Sequence, residues 1–194
     1  MIKETRYNEV KKLNIGSGRK KMDGYTNVDA LEWDGNTDIM HDLTNIPYPF
    51  KGGRIDEIFC GETLEHISFR DTFYVLIEFY RILKEGGKLS IQVPDCGKMM
   101  KYYVNGQVCN CVNHKDTGEG FSANKDCLEC KGKAIVNSTR WFYAFTGAQE
   151  HFPHDIHKTI FTRELLEGML ELSGFSDIKF KDDIYKLKVK CVKL

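Results

Sequence analysis

Three groups of residues in this chain have types and spacings that could do chemistry. The stretch LNIGSGRKKMDGYTNVDA runs an apolar strand, Leu13 to Ile15, into Gly16-Ser17-Gly18, and a second strand, Tyr25 to Val28, follows almost at once and ends in Asp29. Glycines there let a backbone approach a ligand with no Cβ in the way, and a carboxylate closing the second strand can accept hydrogen bonds from a ribose diol. Taken alone, the glycines could be a plain tight turn and Asp29 a strand-end turn residue. The second group is His41-Asp42-Leu43, after a short strand at Ile39, together with Gly61-Glu62-Thr63-Leu64-Glu65-His66, after the strand Ile55 to Cys60. Ligands of an open α/β sheet bind beyond the carboxyl ends of its strands, where all these residues fall.

The third group is a set of metal-ligand types. Cys109 and Cys111 form one close pair and Cys127 and Cys130 another, with His114 between them. Two such pairs can close a tetrahedron of thiolates around a structural Zn2+. A CxC pair is less usual than CxxC, so His114 could replace Cys109 or Cys111. Reduced thiols in a loop, or a redox-active CxxC, are the alternatives. His151, His154 and His157 share HxxHxxH spacing, but Pro153 stands among them and opposes a regular helix that would face all three to one ion.

Positioning these groups requires a core, and the composition provides for one. The 194 residues are 41% hydrophobic, with twelve Phe, which fits one globular domain. Twenty-eight basic residues balance twenty-eight acidic ones, so net charge gives no case for nucleic acid or an anionic membrane. The first residues have no signal-like apolar stretch, and no window has the length of a membrane span. A cytoplasmic protein is expected, and seven cysteines then read as thiols or metal ligands.

The periodicity predicts strands alternating with helices. Ser68 and Asp71 have capping-box spacing, and Phe69, Phe73, Leu76, Ile77, Tyr80 and Leu83 mark one buried face, with Gly86-Gly87 as the stop. Lys88 to Val93 is a strand closed by Pro94. Thr162 caps a helix carrying Leu165, Leu166, Met169 and Leu170, which stops at Gly174, and strands at 177–180 and 185–193 follow. The last alternates Leu187, Val189 and Cys191 with lysines, one face buried and one wet. The fold class is thus α/β: a mostly parallel sheet with an antiparallel C-terminal strand in an edge hairpin. Periodicity fails over about 97–160, an irregular insertion holding four of the seven cysteines and four of the six histidines. Cys60, Cys96 and Cys191 read as small buried residues.

The combination of "LNIGSG", "GYTNVDA", "HDLTNIPYPFKGGRIDEIFCGETLEHI" and "RILKEGGKLSIQVPD" resembles the class I S-adenosylmethionine-dependent methyltransferases, in a branch with a short first connection. The resemblance is close over residues 12–95. It resumes at Gly147-Ala148-Gln149, at His157-Lys158 and in "FTRELLEGMLELSGF". It implies a Rossmann-like sheet with helices on both faces and S-adenosylmethionine as cofactor. By it, Ile15, Gly16, Ser17 and Gly18 would line the methionine part, and Asp29 would bind the ribose. Asp42 and Leu43 would bracket the adenine, and Gly61 and Glu62 would lie beneath the sulfonium. Glu65, His66 and His157, near the mouth, are the candidate catalytic groups. A hydroxyl or amine acceptor on a small molecule or glycan must lose a proton, which His or a carboxylate can take.

Two rival readings differ in class. One is a methyltransferase-like binding module whose zinc insertion docks a protein or nucleic acid. The other is a nicotinamide-dependent oxidoreductase. A dinucleotide site wants a third glycine and a full helix whose amino end meets a pyrophosphate, and here Arg19-Lys20-Lys21 follow Gly18 with no room for that helix. A methyl donor without a pyrophosphate tolerates the clipped turn.

Overall fold

The structure, a computed structural model, describes residues 7, 9–105, 107–108, 135–136, 145–147, 155–183 and 185–194. The elements are β1 (Lys12–Ile15), β2 (Thr26–Asp29), β3 (Ile39–Met40), β4 (Ile55–Gly61), a 3-10 turn (Leu64–His66), α1 (Phe69–Ile82) and β5 (Leu83–Pro94). They continue with α2 (Cys96–Asn105), β6 (Gln107–Val108), β7 (Ile135–Val136), α3 (Arg163–Leu172), β8 (Phe175–Lys181) and β9 (Lys186–Lys193). Seven strands form one sheet in the order β3-β2-β1-β4-β5-β9-β8. Pairing from β3 to β5 is parallel, and β9 runs antiparallel to both its neighbours. The expected mostly parallel α/β sheet with an antiparallel C-terminal strand is what forms. A separate ribbon, β6 against β7, closes the neck of the segment that holds the two cysteine pairs.

Strand alternation sends Leu13, Ile15, Ile58, Cys60, Leu89, Ile91, Leu187, Val189 and Cys191 into one continuous core. Helices α1 and α3 cover this face: Val75, Leu76, Phe79 and Ile82 of α1 join Leu166, Met169 and Leu170 of α3 in the same cluster. Burying each such side chain contributes roughly 1.5–3 kcal/mol. Both helices start as the sequence predicts. The Ser68 hydroxyl accepts from the Asp71 N–H at 3.2 Å, and the Thr162 hydroxyl accepts from the Leu165 N–H at 3.3 Å. No helix among the described residues is long and apolar enough to cross a membrane.

Two details differ from the sequence reading. The buried face of α1 is Thr72, Val75, Leu76, Glu78, Phe79 and Ile82, whereas Phe69 is 57% exposed and Ile77 41%. Bulky aromatics drew the expected face to one side. The true face includes two polar residues whose bonds are met: Thr72 donates to the Ser68 carbonyl, and Glu78 accepts from the Tyr48 N–H and from Arg81. The helix also ends at Ile82 rather than at the glycines. Leu83 is fully buried and already paired with Ile55, so the chain turns extended there. Gly86, at φ +71°, belongs to an irregularity inside β5.

The β1–β2 connection shows how the chain dispenses with a crossover helix. Asn14 and Asn27 stand opposite each other on the sheet face away from the core, both buried. The Asn14 amide donates to Asn27 Oδ1 at 2.8 Å and to the Lys20 carbonyl at 3.1 Å. Asn27 Oδ1 also accepts from the Met22 N–H, and its amide donates to Asp38 Oδ2 and to the Tyr25 carbonyl. A helix would have satisfied its own backbone; here two side-chain amides do so for the loop. Asn27→Ala should therefore lose about 2–4 kcal/mol in urea unfolding, because one Asn14 amide hydrogen and the Met22 N–H would be left unpaired.

Candidate functional site

The strand order reverses between β1 and β4, and Ile15 pairs with Cys60, so Gly16 and Gly61 stand side by side at the carboxyl end of the sheet. The Gly16 and Ser17 N–H groups both donate to the Val28 carbonyl, which curls the chain across β2. Gly16 and Gly18 both have positive φ, +66° and +52°. They differ in space. A Cβ on Gly16 would lie 2.0 Å from Thr63 Oγ1, while one on Gly18 would meet nothing. The Thr63 hydroxyl lies 2.9 Å from the Gly61 carbonyl and 3.4 Å from the Ile15 carbonyl, between the two strand ends.

Asp29 is half-buried, with Oδ2 accepting from the Gly18 N–H at 2.9 Å and Oδ1 from the Leu31 N–H at 3.0 Å. Each oxygen thus keeps lone-pair capacity for a further donor. Ser17 is 5% exposed and its hydroxyl has no partner among the described residues. Asp42 uses Oδ1 for the Thr44 N–H and hydroxyl, leaving Oδ2 for an outside donor. The side chains of Leu43 and Ile15 lie in the core, so only their backbone can line a ligand. The Asp42–Leu43 loop is held through Tyr48, whose hydroxyl donates to the Leu43 carbonyl and whose N–H donates to buried Glu78. Glu62, at φ +53°, pairs with Lys186 of β9 at 3.2 Å.

Beside this turn, residues 155–161 are strapped onto the 3-10 turn. The Glu65 carbonyl accepts from the Lys158 and Thr159 N–H groups, and the Thr159 hydroxyl donates to the Ile67 carbonyl at 2.6 Å. The strap places His157 against His66, rings edge to face with centroids 4.9 Å apart. Donor atoms of Glu65, His66 and His157 all lie within 4.8 Å of one another. Burial pushes the Glu65 carboxyl up to about 8 and, with His157 close by, holds His66 below its ordinary value. The three candidate catalytic residues, distant in sequence, are therefore assembled.

Sequence reasoning missed two neighbours of this group. Asp155 Oδ1 lies 3.4 Å from His66 Nε2, and Gly147, at φ +75°, sits so close to the strap that a Cβ would overlap the Asp155 carbonyl. No local pattern marks Asp155, whose partner His66 stands far earlier in the chain. Cys60, Cys96 and Cys191 are buried small residues, as expected. Burial pushes Cys96 up to about 11 and Cys191 to about 12, so neither is a nucleophile at neutral pH. Cys109, Cys111, Cys127 and Cys130, with His114, His151 and His154, lie outside the described residues.

Residues 21–91 match a family described as methyltransferase domain. No curated protein matches the chain. Among solved structures, the fold is similar to that of an S-adenosylmethionine-dependent methyltransferase from Archaeoglobus fulgidus, with 14% identity, 99% of this chain and 93% of that one covered, and a TM-score of 0.57. A second such enzyme, from Methanosarcina mazei, is 16% identical over 98% of this chain and 96% of its own, TM-score 0.53. The 1,6-didemethyltoxoflavin-N1-methyltransferase of Burkholderia thailandensis, solved with its substrate and S-adenosylhomocysteine, is 13% identical over 94% of this chain and 70% of its own, TM-score 0.53. The sheet is thus of the Rossmann-like methyltransferase kind.

The two glycines offer a direct test of the turn. Gly18→Ala should cost about 1–2 kcal/mol from its left-handed backbone alone. Gly16→Ala should cost about 1–3 kcal/mol more, since Thr63 must also move. Urea unfolding of the two variants, compared with the unchanged protein, reads both.

Proposed function

We propose that this protein is an S-adenosylmethionine-dependent methyltransferase acting on an oxygen or nitrogen acceptor of a small molecule or glycan. The observation that carries the reading is the Gly16–Gly18 turn locked to the Asp29 carboxylate at the point where the strand order reverses. A ribose diol there would meet two carboxylate oxygens with spare lone pairs, and the unpartnered Ser17 hydroxyl lies in the same turn. The adenine amine would meet Asp42 Oδ2, and the backbone of Ile15, Leu43, Gly61 and Glu62 would line the rest. The residues fit the cofactor. The match of residues 21–91 to a methyltransferase domain supports the reading independently.

Bound in that turn, S-adenosylmethionine supplies an electrophilic methyl on a sulfonium. The chain's own task is to hold the acceptor in line with it and to deal with the acceptor's proton. Glu65, His66 and His157 face this task together at the mouth, within 4.8 Å of one another. We place the protein in the cytoplasm, as one domain with an insertion over about 97–160. In that insertion Cys109, Cys111, Cys127 and Cys130 hold a structural Zn2+.

Calorimetry with S-adenosylhomocysteine tests the cofactor assignment. Asp29→Ala should weaken binding at least tenfold, since two ribose hydrogen bonds of about 1 kcal/mol each are lost. Asp42→Ala should weaken it less, because stacking also holds an adenine; equal affinity in the Asp29 variant would remove the ribose assignment. Elemental analysis should find zinc on the purified protein, and removing it should open residues 105–135 to proteases while the sheet stays folded. Protein that carries no metal, with all four thiols titratable, would end the zinc assignment.

A further inference from the structure

We infer that Glu65, His66 and His157 form a binding site for a divalent first-row transition-metal ion at the mouth of the cleft. Glu65 is 2% exposed, yet its Oε2 has no hydrogen-bond partner among the described residues. An orphaned carboxylate oxygen in so dry a place costs free energy unless something cationic or hydrogen-bonding meets it. A carboxylate oxygen of Glu65 and a ring nitrogen of each of His66 and His157 lie within 4.8 Å of one another. Small side-chain adjustments bring such a set to the separation of about 3–4 Å that metal–ligand bonds near 2.1 Å impose.

The surroundings support ligation. His66 Nδ1 lies 3.2 Å from the Ile156 carbonyl, which can only accept, so Nδ1 carries a hydrogen and Nε2 is the ring nitrogen that an ion would meet. A backbone carbonyl that fixes the tautomer in this way is the usual partner of a metal-bound histidine. Nε2 in turn lies 3.4 Å from Asp155 Oδ1, so a second carboxylate stands beside the ring nitrogen that would meet the ion. Two imidazole nitrogens and a carboxylate oxygen suit zinc, iron, cobalt or nickel better than magnesium or calcium. Three protein ligands leave coordination positions for an acceptor oxygen. In that last respect the inference rests on the methyltransferase reading, and it turns proton handling at the mouth into ligation of the acceptor.

Cobalt(II) is the probe, because thiolate ligation gives a near-ultraviolet charge-transfer band that imidazole and carboxylate ligation lacks. Chelator-treated full chain titrated with Co2+ should show, besides any thiolate-bound ion, one ion with visible bands and no charge transfer. Glu65→Gln, close to isosteric, and His157→Ala should each weaken that second ion at least tenfold and leave the thiolate band unchanged. Circular dichroism identifies a variant that has unfolded, and the other then decides. Identical titrations in the unchanged protein and a folded variant, or no thiolate-free ion at all, would overturn the site. S-adenosylhomocysteine binding on the same samples separates the two readings. Cobalt bound without the nucleoside keeps the metal site and removes the methyltransferase reading, and the nucleoside bound without cobalt does the opposite.

Discussion

The paired amides of Asn14 and Asn27 are the constraint on which the cofactor side of this fold depends. A parallel pair of strands needs a crossover, and a crossover usually spends a helix to satisfy its backbone and cover the sheet. Here a short loop returns instead, and its Lys20, Met22 and Tyr25 backbone groups are met by two side chains on the strands themselves. The same Asn27 binds Asp38, whose carboxylate accepts from both the Asn27 backbone and its amide, and so fixes the approach to β3. The Asn27 N–H holds the Asp38 carboxyl below its usual range. The glycine turn, Asp29 and the end of β3 therefore take their relative positions from one buried polar network.

The acceptor side rests on a different device. There the 3-10 turn offers the Glu65 carbonyl as a double acceptor, and the strap at 155–161 closes on it with two backbone donors. The carboxylate and imidazoles are thus positioned by main-chain bonds. Glu65 in particular is buried with its Oε2 unpartnered among the described residues. The Glu62–Lys186 pair links this region to β9.

Much of this was legible in the sequence, for reasons that also explain what was not. Helix starts at Ser68 and Thr162 were readable because a capping hydroxyl acts within three residues. The alternation in β9 was readable because its lysines and apolar residues differ so sharply in hydration. The face of α1 was misread because burial of Thr72 and Glu78 depends on partners at Ser68 and Tyr48, and only the second is a long-range contact. Asn14 and Asn27 look like ordinary polar strand residues until β1 and β2 are paired in register. Asp155 gains its meaning from His66, some ninety residues earlier, and no local pattern marks that.

The place of β9 has a kinetic consequence. It is inserted between β5 and β8, so Leu89 meets Cys191 across 102 residues. Loop closure over such a distance is entropically costly and late. Until it happens, β5 presents an unpaired edge rich in Leu, Ile and Val, a template for pairing with another chain. The slow step and the aggregation hazard therefore coincide in one strand. The charges alternating along β9 keep that strand soluble while it waits to dock.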